Sequence, residues 1–437
     1  MVCLIGDILT DVTLATDRSP LKMRLGGIVH AARALWAMDV DYAVAYFAPT
    51  YLDGHIDMFL KEHNCKAIIK LGNVTNCPYT MLINEAKEIG NQGYEFLYHD
   101  DIVITYDTNA IKEINVYDEL MFISGNYDMD KIVSYVEPDK RIHCDVANNL
   151  NDISELPHDR LFETLFISTS SNIFKNQYKD FDSFCDILKA FTHRIVLKEN
   201  RGGSRIYDGY KNEVYEIPSQ TTTIEHSIGV GDVYDIVAIF SPYENFQEQL
   251  IFASWIAMEY AQTTFPDNFK SSVKSLQQTS IKDLQSQPGS FLPWDIRDKC
   301  HIYIAAPDFD FVDTKAIDFL CDSLHYHHFV AHRPIKENGQ MTANAEKAER
   351  IGLYSADMTL LSKCNMLIAV LLYNDPGTLI EIGMAVQKGM PTLVYDPKGI
   401  ADNCMLTECP TFVSSDLDAI MAKVFIEYSK LLKNGTL

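Results

Sequence analysis

Basic residues are scarce in this chain: Lys and Arg total 37 against 60 Asp and Glu, a formal net charge of −23 with histidine neutral. A surface of that sign repels a polyphosphate backbone. It excludes a nucleic-acid polymer as partner, though not a single nucleotide held by backbone N–H groups. No apolar run reaches the roughly 18 residues that a membrane-spanning helix needs. The opening Met1-Val-Cys-Leu-Ile-Gly-Asp7 lacks a basic stretch ahead of its apolar residues, so it reads as a first strand and not as a secretory leader. Ten cysteines are present, but none forms a Cys-x-x-Cys pair or a zinc-ligand spacing. They read as reduced thiols of a cytoplasmic protein. No internal repeat or low-complexity tract occurs.

Apolar material, by contrast, is plentiful: hydrophobic residues make up 47% of the 437 and charged residues 22%, as in a globular protein with real cores. At about 150 residues per domain the length predicts two or three units. Short apolar runs at 2–5, 42–47, 120–123, 165–167 and 195–197 predict strands, and helical spacing over 29–38, 181–191 and 247–264 predicts helices. That alternation implies α/β with a largely parallel sheet. The polar stretch 284–294, broken by Pro288, Gly289 and Pro293, is the best boundary, and a fresh strand opens at 301–305. The expected division is a first domain over 1–285, a linker over 286–298 and a second domain over 299–437.

In the first domain the informative string is Glu225-His-Ser-Ile-Gly-Val-Gly-Asp-Val-Tyr-Asp235, ahead of an apolar helical run. Gly229 and Gly231 let N–H groups face an anion at a helix N-terminus, and Asp232 beside them can deprotonate an attacking hydroxyl. Phosphoryl transfer to an alcohol needs that pairing, although two turn glycines and a capping aspartate give the same string. Other elements accompany it in order: Gly6-Asp-Ile-Leu-Thr-Asp11, Gly26-Gly27 with Ala31-Ala32-Arg-Ala-Leu35, Asp145 with Asn148, and Arg201-Gly202-Gly203 with Tyr207-Asp208-Gly209. Together they make residues 1–285 resemble the ribokinase-like (PfkB) carbohydrate kinases. The resemblance implies a three-layer α/β/α domain that uses ATP and Mg2+. It implies Asp11, Gly26, Gly27 and His30 as sugar-binding residues, Lys198, Gly203, Gly229 and Gly231 as anion- and nucleotide-binding residues, and Asp232 as the base.

Four positions depart from that family. His30 stands for its sugar-contacting asparagine, and Asn172-Ile-Phe-Lys175 for its magnesium-ordering Asn-x-x-Glu. Lys198-Glu199-Asn200 replaces Thr-x-Gly, and His226-Ser227-Ile228 replaces Asp-Thr-Thr. A cation at 175 weakens the metal site, while Lys175 and Lys198 can meet phosphates directly. The first domain is thus either a working kinase or a retained fold that binds a ligand without turnover.

In the second domain Ile368-Ala-Val-Leu-Leu-Tyr373 runs into Asn374-Asp-Pro-Gly-Thr-Leu-Ile-Glu381. A turn at Asp375-Pro376-Gly377 and a helix from near Thr378 bring Asp375 and Glu381 to one strand edge. Glycosidic chemistry uses two such carboxylates; a solvent-facing turn and a helix-capping glutamate would read the same. His301-Ile-Tyr-Ile-Ala-Ala-Pro307, the loop from Phe329 to Gly339, the helix reaching Ala356-Asp357, and Asn403-Cys-Met405 complete an ordered set. Over 300–425 the chain resembles nucleoside 2-deoxyribosyltransferases and the related nucleoside 5′-monophosphate N-glycosidases.

That resemblance implies a smaller Rossmann/flavodoxin-like parallel sheet with no cofactor. Glu381 is its nucleophile on C1′, oriented by Tyr303, and Asp375 or Asp357 gives a proton to the departing base. Arg333, Gly377 and Asn403 are its substrate-binding residues. The Asn403 segment reaches into a neighbouring subunit's pocket in the family, so a homodimer or larger homo-oligomer is expected. Transfer to a second base and hydrolysis stay open. His301, His325, His327, His328 and His332 read as ordinary polar histidines, with His327 and His328 facing opposite ways if they lie in a strand. No metal site is expected. The joint expectation is an enzyme that cleaves or exchanges the N-glycosidic bond of a nucleoside or nucleotide and phosphorylates the released pentose or the nucleoside. Its alternative is a nucleotide-depleting glycosidase gated by an inactive kinase-like domain.

Overall fold

A computed structural model describes residues 1–16, 20–97, 101–147, 149–342 and 344–437; Asn148 lies outside the described residues. One unit comprises Met1–Lys87, Gln92–Gln220 and Ile224–Phe291, and the other comprises Leu292–Leu437 with Glu88–Asn91 and Thr221–Thr223.

The first unit's strands are β1 (Val2–Thr13), β2 (Lys22–Gly27), β3 (Tyr42–Ala48), β4 (Ala67–Thr75), β5 (Thr80–Ile83), β6 (Tyr94–Leu97), β7 (Val103–Tyr106), β8 (Glu119–Ile123), β9 (Arg141–Val146), β10 (Phe162–Ser168), β11 (Thr192–Lys198), β12 (Ser204–Asp208) and β13 (Glu213–Ile217). Their order is β13-β12-β11-β10-β9-β8-β1-β3-β4-β7, with β2 and β5 on β1 and β6 on β5. From β11 to β4 all neighbours are parallel. Parallel strands are covered on both faces and read as unbroken apolar runs, and β3 is buried at every position. β1 serves two sheets: residues 2–7 pair with β3 and, over 2–5, with β8, while residues 8–13 turn out to pair with β2 and, over 10–13, with β5. Leu4, Val44 and Met121 join a core with residues of the helices Val29–Ala37, Val230–Phe240 and Phe246–Ala261.

In the second unit β14 (His301–Ala305), β15 (Val330–His332), β16 (Met366–Val370), β17 (Thr392–Tyr395) and β18 (Phe412–Ser414) form a parallel sheet in the order β15-β14-β16-β17-β18. The chain reverses direction of growth between β14 and β16, the switch point where strand C-terminal ends open a crevice. Side chains alternate across this sheet. Ile302, Ile304 and Ile368 face a core with the helices Lys315–Tyr326 and Leu417–Lys433, a core that also takes in Ile89. Tyr303, Leu367 and Ala369 face the other way, onto Leu360, Leu361 and Ile382 of the helices Lys347–Lys363 and Pro376–Gln387.

Two local details differ from the expectation. Within 286–298 a short helix forms at Trp294–Arg297, and Arg297 is fully buried. His327 and His328 close the helix Lys315–Tyr326 instead of lying in a strand, because His328 takes up φ 70° and ends it. His327 is fully buried and His328 stacks on Trp294. Among the described residues no helix is long and apolar enough to cross a membrane.

The connection into β12 uses two left-handed residues, Asn200 at φ 54° and Gly203 at φ 90°. Asparagine tolerates that region, so Asn200 keeps the backbone a glycine would give. A side chain at 203 fits nowhere: its Cβ would lie 2.3 Å from the Ile217 carbonyl oxygen. Gly203→Ala is expected to cost about 2 kcal/mol or more, and Asn200→Gly less than about 1 kcal/mol. Urea denaturation of the two variants checks this, and equal midpoints would refute it.

Candidate active sites

In the second unit the site is built at the end of β16. Asp375 caps the helix Pro376–Gln387, its Oδ2 accepting from the Thr378 N–H at 2.8 Å and the Thr378 hydroxyl at 3.0 Å. The helix begins two residues earlier than expected because proline suits the first helical position and aspartate supplies the cap. About one and a half turns along, Glu381 meets β14: the Tyr303 hydroxyl donates to its Oε1 at 2.6 Å. Burial raises the Glu381 carboxyl to about 7; the Tyr303 hydrogen bond pulls it down, and the charges of Asp357 and Asp375 push it up. Burial, and then the Glu381 charge, hold the Tyr303 phenol far above its ordinary range. One site therefore holds a buried carboxyl, a phenol hydrogen-bonded to it and two further carboxyls close enough to act on it.

Asp357 is fixed by Asn338, whose Nδ2 donates to Oδ1 at 2.8 Å. Asn338 escaped the sequence reading, since nothing separates it from other polar loop residues. Arg333 is engaged within the protein: Nε and Nη2 clasp Asp308 at 2.8 and 2.7 Å, and Nη1 reaches Asp318 at 2.7 Å. It anchors the segment that carries Asn338. Gly377 is exposed in the first helical turn, close against the Asp375 carboxylate. Asn403, also exposed, caps the helix Cys404–Glu408 by accepting the Met405 N–H at 2.9 Å. The loop ahead of it is tied to Asp396, which accepts from the Ile400 and Ala401 N–H groups at 3.0 and 2.8 Å.

In the first unit the helix Val230–Phe240 starts from Gly229 at φ 74°. A Cβ there would lie 2.2 Å from His30 Cγ, so glycine lets the imidazole rest against the helix N-terminus. His30 is buried, with Nε2 at 3.1 Å from Asp11 Oδ2 and Nδ1 at 2.7 Å from the Tyr260 hydroxyl. Burial pushes its pKa down to about 4, so it is neutral. Gly26 lies under the Asp11 carboxylate and Gly27 follows at φ 67°. Asp11, Gly26, His30 and Gly229 are thus one cluster.

Asp232 stands in the first turn of that helix. Burial, then the Asp145 charge, raise its pKa to about 7 against the opposing Lys198 charge. Lys198 Nζ lies 2.5 Å from Asp235 Oδ2 and 3.1 Å from Asp145 Oδ1. Burial alone would lower the lysine, but Asp145 and Asp235 hold it above its ordinary value, while burial raises Asp235. Gly231 is next to it, since a Cβ there would be 3.3 Å from Nζ. Lys198 therefore sits at the expected anion cradle, but clamped by carboxylates. Asp235 was missed, although a lone acid in the apolar run Val230–Phe240 was the available signal. Gly203 serves the turn described above, and Lys175 is exposed. The helix N-terminus fits an ATP phosphate. The donor set does not fit magnesium: residue 175 offers an ammonium, and Lys198 already holds Asp145 and Asp235. Among the described residues no group of three or more His, Cys, Asp or Glu is placed to hold a metal ion.

Residues 302–408 match the nucleoside 2-deoxyribosyltransferase family. That span holds Tyr303, Arg333, Asp357, Asp375, Gly377, Glu381 and Asn403. A comparison with curated proteins gives no match. Solved structures similar to the N-terminal part are kinases of the ribokinase fold. Ribokinase from Thermotoga maritima is 13% identical, covering 64% of this chain and 99% of its own, with a TM-score of 0.46. The tetrameric inhibited form of phosphofructokinase-2 from Escherichia coli is 11% identical, covering 63% and 99%, with a TM-score of 0.46. Arabidopsis thaliana ribokinase complexed with ribose and ATP is 11% identical, covering 64% and 99%, with a TM-score of 0.45.

The raised Glu381 pKa makes a stability prediction. Between its ordinary value of 4.5 and about 7 the folded protein keeps a proton that the unfolded chain releases, so stability falls as pH rises through that window. Glu381→Gln is expected to remove this dependence and to gain up to roughly 3 kcal/mol at pH 8. Urea midpoints at pH 5 and pH 8 measure it; parallel curves for variant and wild type would sink it.

Proposed function

We propose that the second unit breaks the N-glycosidic bond of a nucleoside or nucleotide through a covalent (deoxy)ribosyl-glutamate. The observation that carries this is the Tyr303 hydroxyl at 2.6 Å from Glu381 Oε1, with Asp357 and Asp375 near enough to raise the same carboxyl. Tyr303 holds Oε1, so Oε2 attacks C1′. The C1′–N bond breaks, and the base leaves with its electron pair and a proton from Asp357 or Asp375. Asp357 is held through Oδ1 and Asp375 through Oδ2, which leaves the other oxygen of each to face the base. A second base or water then attacks C1′ and frees Glu381, returning a proton to the same acid. Arg333, Gly377 and Asn403 line the substrate in this reading. Met405 and Ile380, 65% and 63% exposed, suit burial by a second copy that presents its Asn403 segment. All ten cysteines are free, which fits a reducing cytoplasm.

In the same reading the first unit phosphorylates the released pentose or the nucleoside. Asp232 takes the proton of the acceptor hydroxyl, whose oxygen attacks the terminal phosphorus of ATP; the bond from that phosphorus to the β,γ-bridging oxygen breaks, ADP leaves with the electron pair, and the N–H groups from Gly229 onward meet the phosphate charge. A base with a pKa of about 7 suits this task at neutral pH. The Lys198 clamp favours a second reading, a nucleotide-binding regulator without turnover that gates a nucleotide-depleting glycosidase.

Chromatography of nucleosides, deoxynucleosides, their 5′-monophosphates and NAD, each with and without ATP, tests both. Glu381→Ala is expected to abolish base release, and Asp357→Asn to slow it by roughly 10²–10⁴-fold as for a lost general acid. Failure of the wild type to release any base would overturn the proposal. ADP formed in step with a phosphorylated pentose or nucleoside would eliminate the regulator reading, and tight nucleotide binding with no ADP would eliminate the kinase.

A further inference from the structure

On the acceptor side of the first unit, three buried polar atoms have no hydrogen-bond partner: Nη2 of Arg24, Nε of Arg33 and Nδ1 of His226. They belong to one neighbourhood, joined by Tyr260. Arg33 Nη1 donates to the Tyr260 hydroxyl at 3.4 Å, and His30 Nδ1 lies 2.7 Å from it. The His226 ring meets the Tyr260 ring edge-on with centroids 5.2 Å apart. His30 in turn holds Asp11, and Asp11 is the direct cross-strand partner of Arg24 in the antiparallel β1–β2 ladder. Residues so paired share a face.

The charges in this neighbourhood do not balance. Arg24 and Arg33 both act as charges on His30 and on Tyr260, Arg33 Cζ also lies 5.2 Å from the Phe59 ring centroid, and the neighbouring carboxylate, Asp11, is already occupied by His30. His30 and His226 are both neutral: burial pushes His30 down to about 4 against the Asp11 hydrogen bond, with the Arg24 charge adding to the fall, and burial and then the Arg24 charge push His226 down to about 3. Asp232 is the other acid that acts on Tyr260, and it keeps its proton up to about pH 7. His226 is 3% exposed, and its Nε2 is spent on the Thr263 carbonyl at 3.1 Å, so in the neutral ring Nδ1 is left as an acceptor. An unpaired buried donor costs about 1–3 kcal/mol, and more when charged. In a chain of net charge −23, an uncompensated cationic spot beside the N-terminus of an 11-residue helix invites an anion.

We propose that Arg24 and Arg33 form an anion subsite, so that the first unit takes a sugar or nucleoside already carrying a phosphate group. The two guanidinium groups grip the phosphate oxygens, and a hydroxyl of the ligand donates to His226 Nδ1. This rests on the reading of the first unit as a sugar- or nucleoside-binding domain, and it names the class of ligand.

Calorimetric titration of the full chain with ribose, ribose 5-phosphate, 2-deoxyribose, 2-deoxyribose 5-phosphate and inorganic phosphate tests it. Each phosphorylated sugar is expected to bind at least about tenfold more tightly than its parent, as charge-assisted bidentate contacts provide. Arg24→Gln and Arg33→Gln should each abolish that preference while parent-sugar affinity holds and the thermal midpoint does not fall. Arg24→Lys should keep part of it, which separates lost charge from lost folding. Equal binding of sugar and sugar phosphate would overturn the subsite while leaving the sugar-binding reading intact. A phosphate preference that survives both substitutions would overturn it by putting the anion elsewhere. Binding of no sugar at all would overturn the subsite and the underlying reading together.

Discussion

A carboxylate is buried at acceptable cost only where something donates to it, and the second unit is organised around one such donation, from Tyr303 to Glu381. Every level of the fold feeds that contact. Strand order sets β14 beside β16, so the helix that follows β16 passes over the residue in the middle of β14. Alternation along β14 sends Tyr303 to the same face as Leu367, Leu360 and Ile382, and that packing leaves its ring one direction to point. The Asp375 cap fixes where the helix starts, and so which of its residues arrives at the phenol. The acid that results is uncomfortable, held partly protonated near neutral pH. Strain of this kind is the usual trade of stability for reactivity at a working site.

The first unit handles charge differently. Around Lys198 three acids crowd one ammonium: burial and the Asp145 charge raise Asp232 to about 7, and burial raises Asp235 against the pull of Lys198. Around Tyr260 the surplus is cationic, and the histidines absorb it by staying neutral. Both sets border the N-terminus of the helix Val230–Phe240. A buried ion pair adds little stability, so the Lys198 clamp is better understood as fixing where a positive charge stands.

Much of this was legible in the residues. Parallel strands covered on both faces announce themselves as apolar runs, and β1, β3, β8, β10 and β11 did so with their ends trimmed. The short strings around Asp232, Asp375 and Glu381 told which strand ends to watch. What the sequence withheld were relations across distance in the chain. Asn338 means nothing until the helix Lys347–Lys363 brings Asp357 to it, and Arg24 reads as one more surface cation until β2 folds onto β1. Capping also misled: Asp-Pro-Gly reads as a turn with the helix beginning after it, whereas the proline is already the first helical residue. Nor does any pattern of apolar spacing mark the left-handed stop at His328 that ends the helix Lys315–Tyr326.

The second unit also includes Glu88–Asn91 and Thr221–Thr223, two short pieces drawn from far up the chain. Ile89 is part of its core, and the buried His327 meets the Ile89 carbonyl through Nε2 at 3.0 Å. A polypeptide cut anywhere in 286–298 would leave the downstream fragment with an open seam where Ile89 packs. The covalent order of the two units is thus interleaved, so a single scission does not separate the residues of one from those of the other. Synthesis of the last 140 residues alone, ahead of or apart from the rest, would yield a core still waiting for a piece the ribosome made long before.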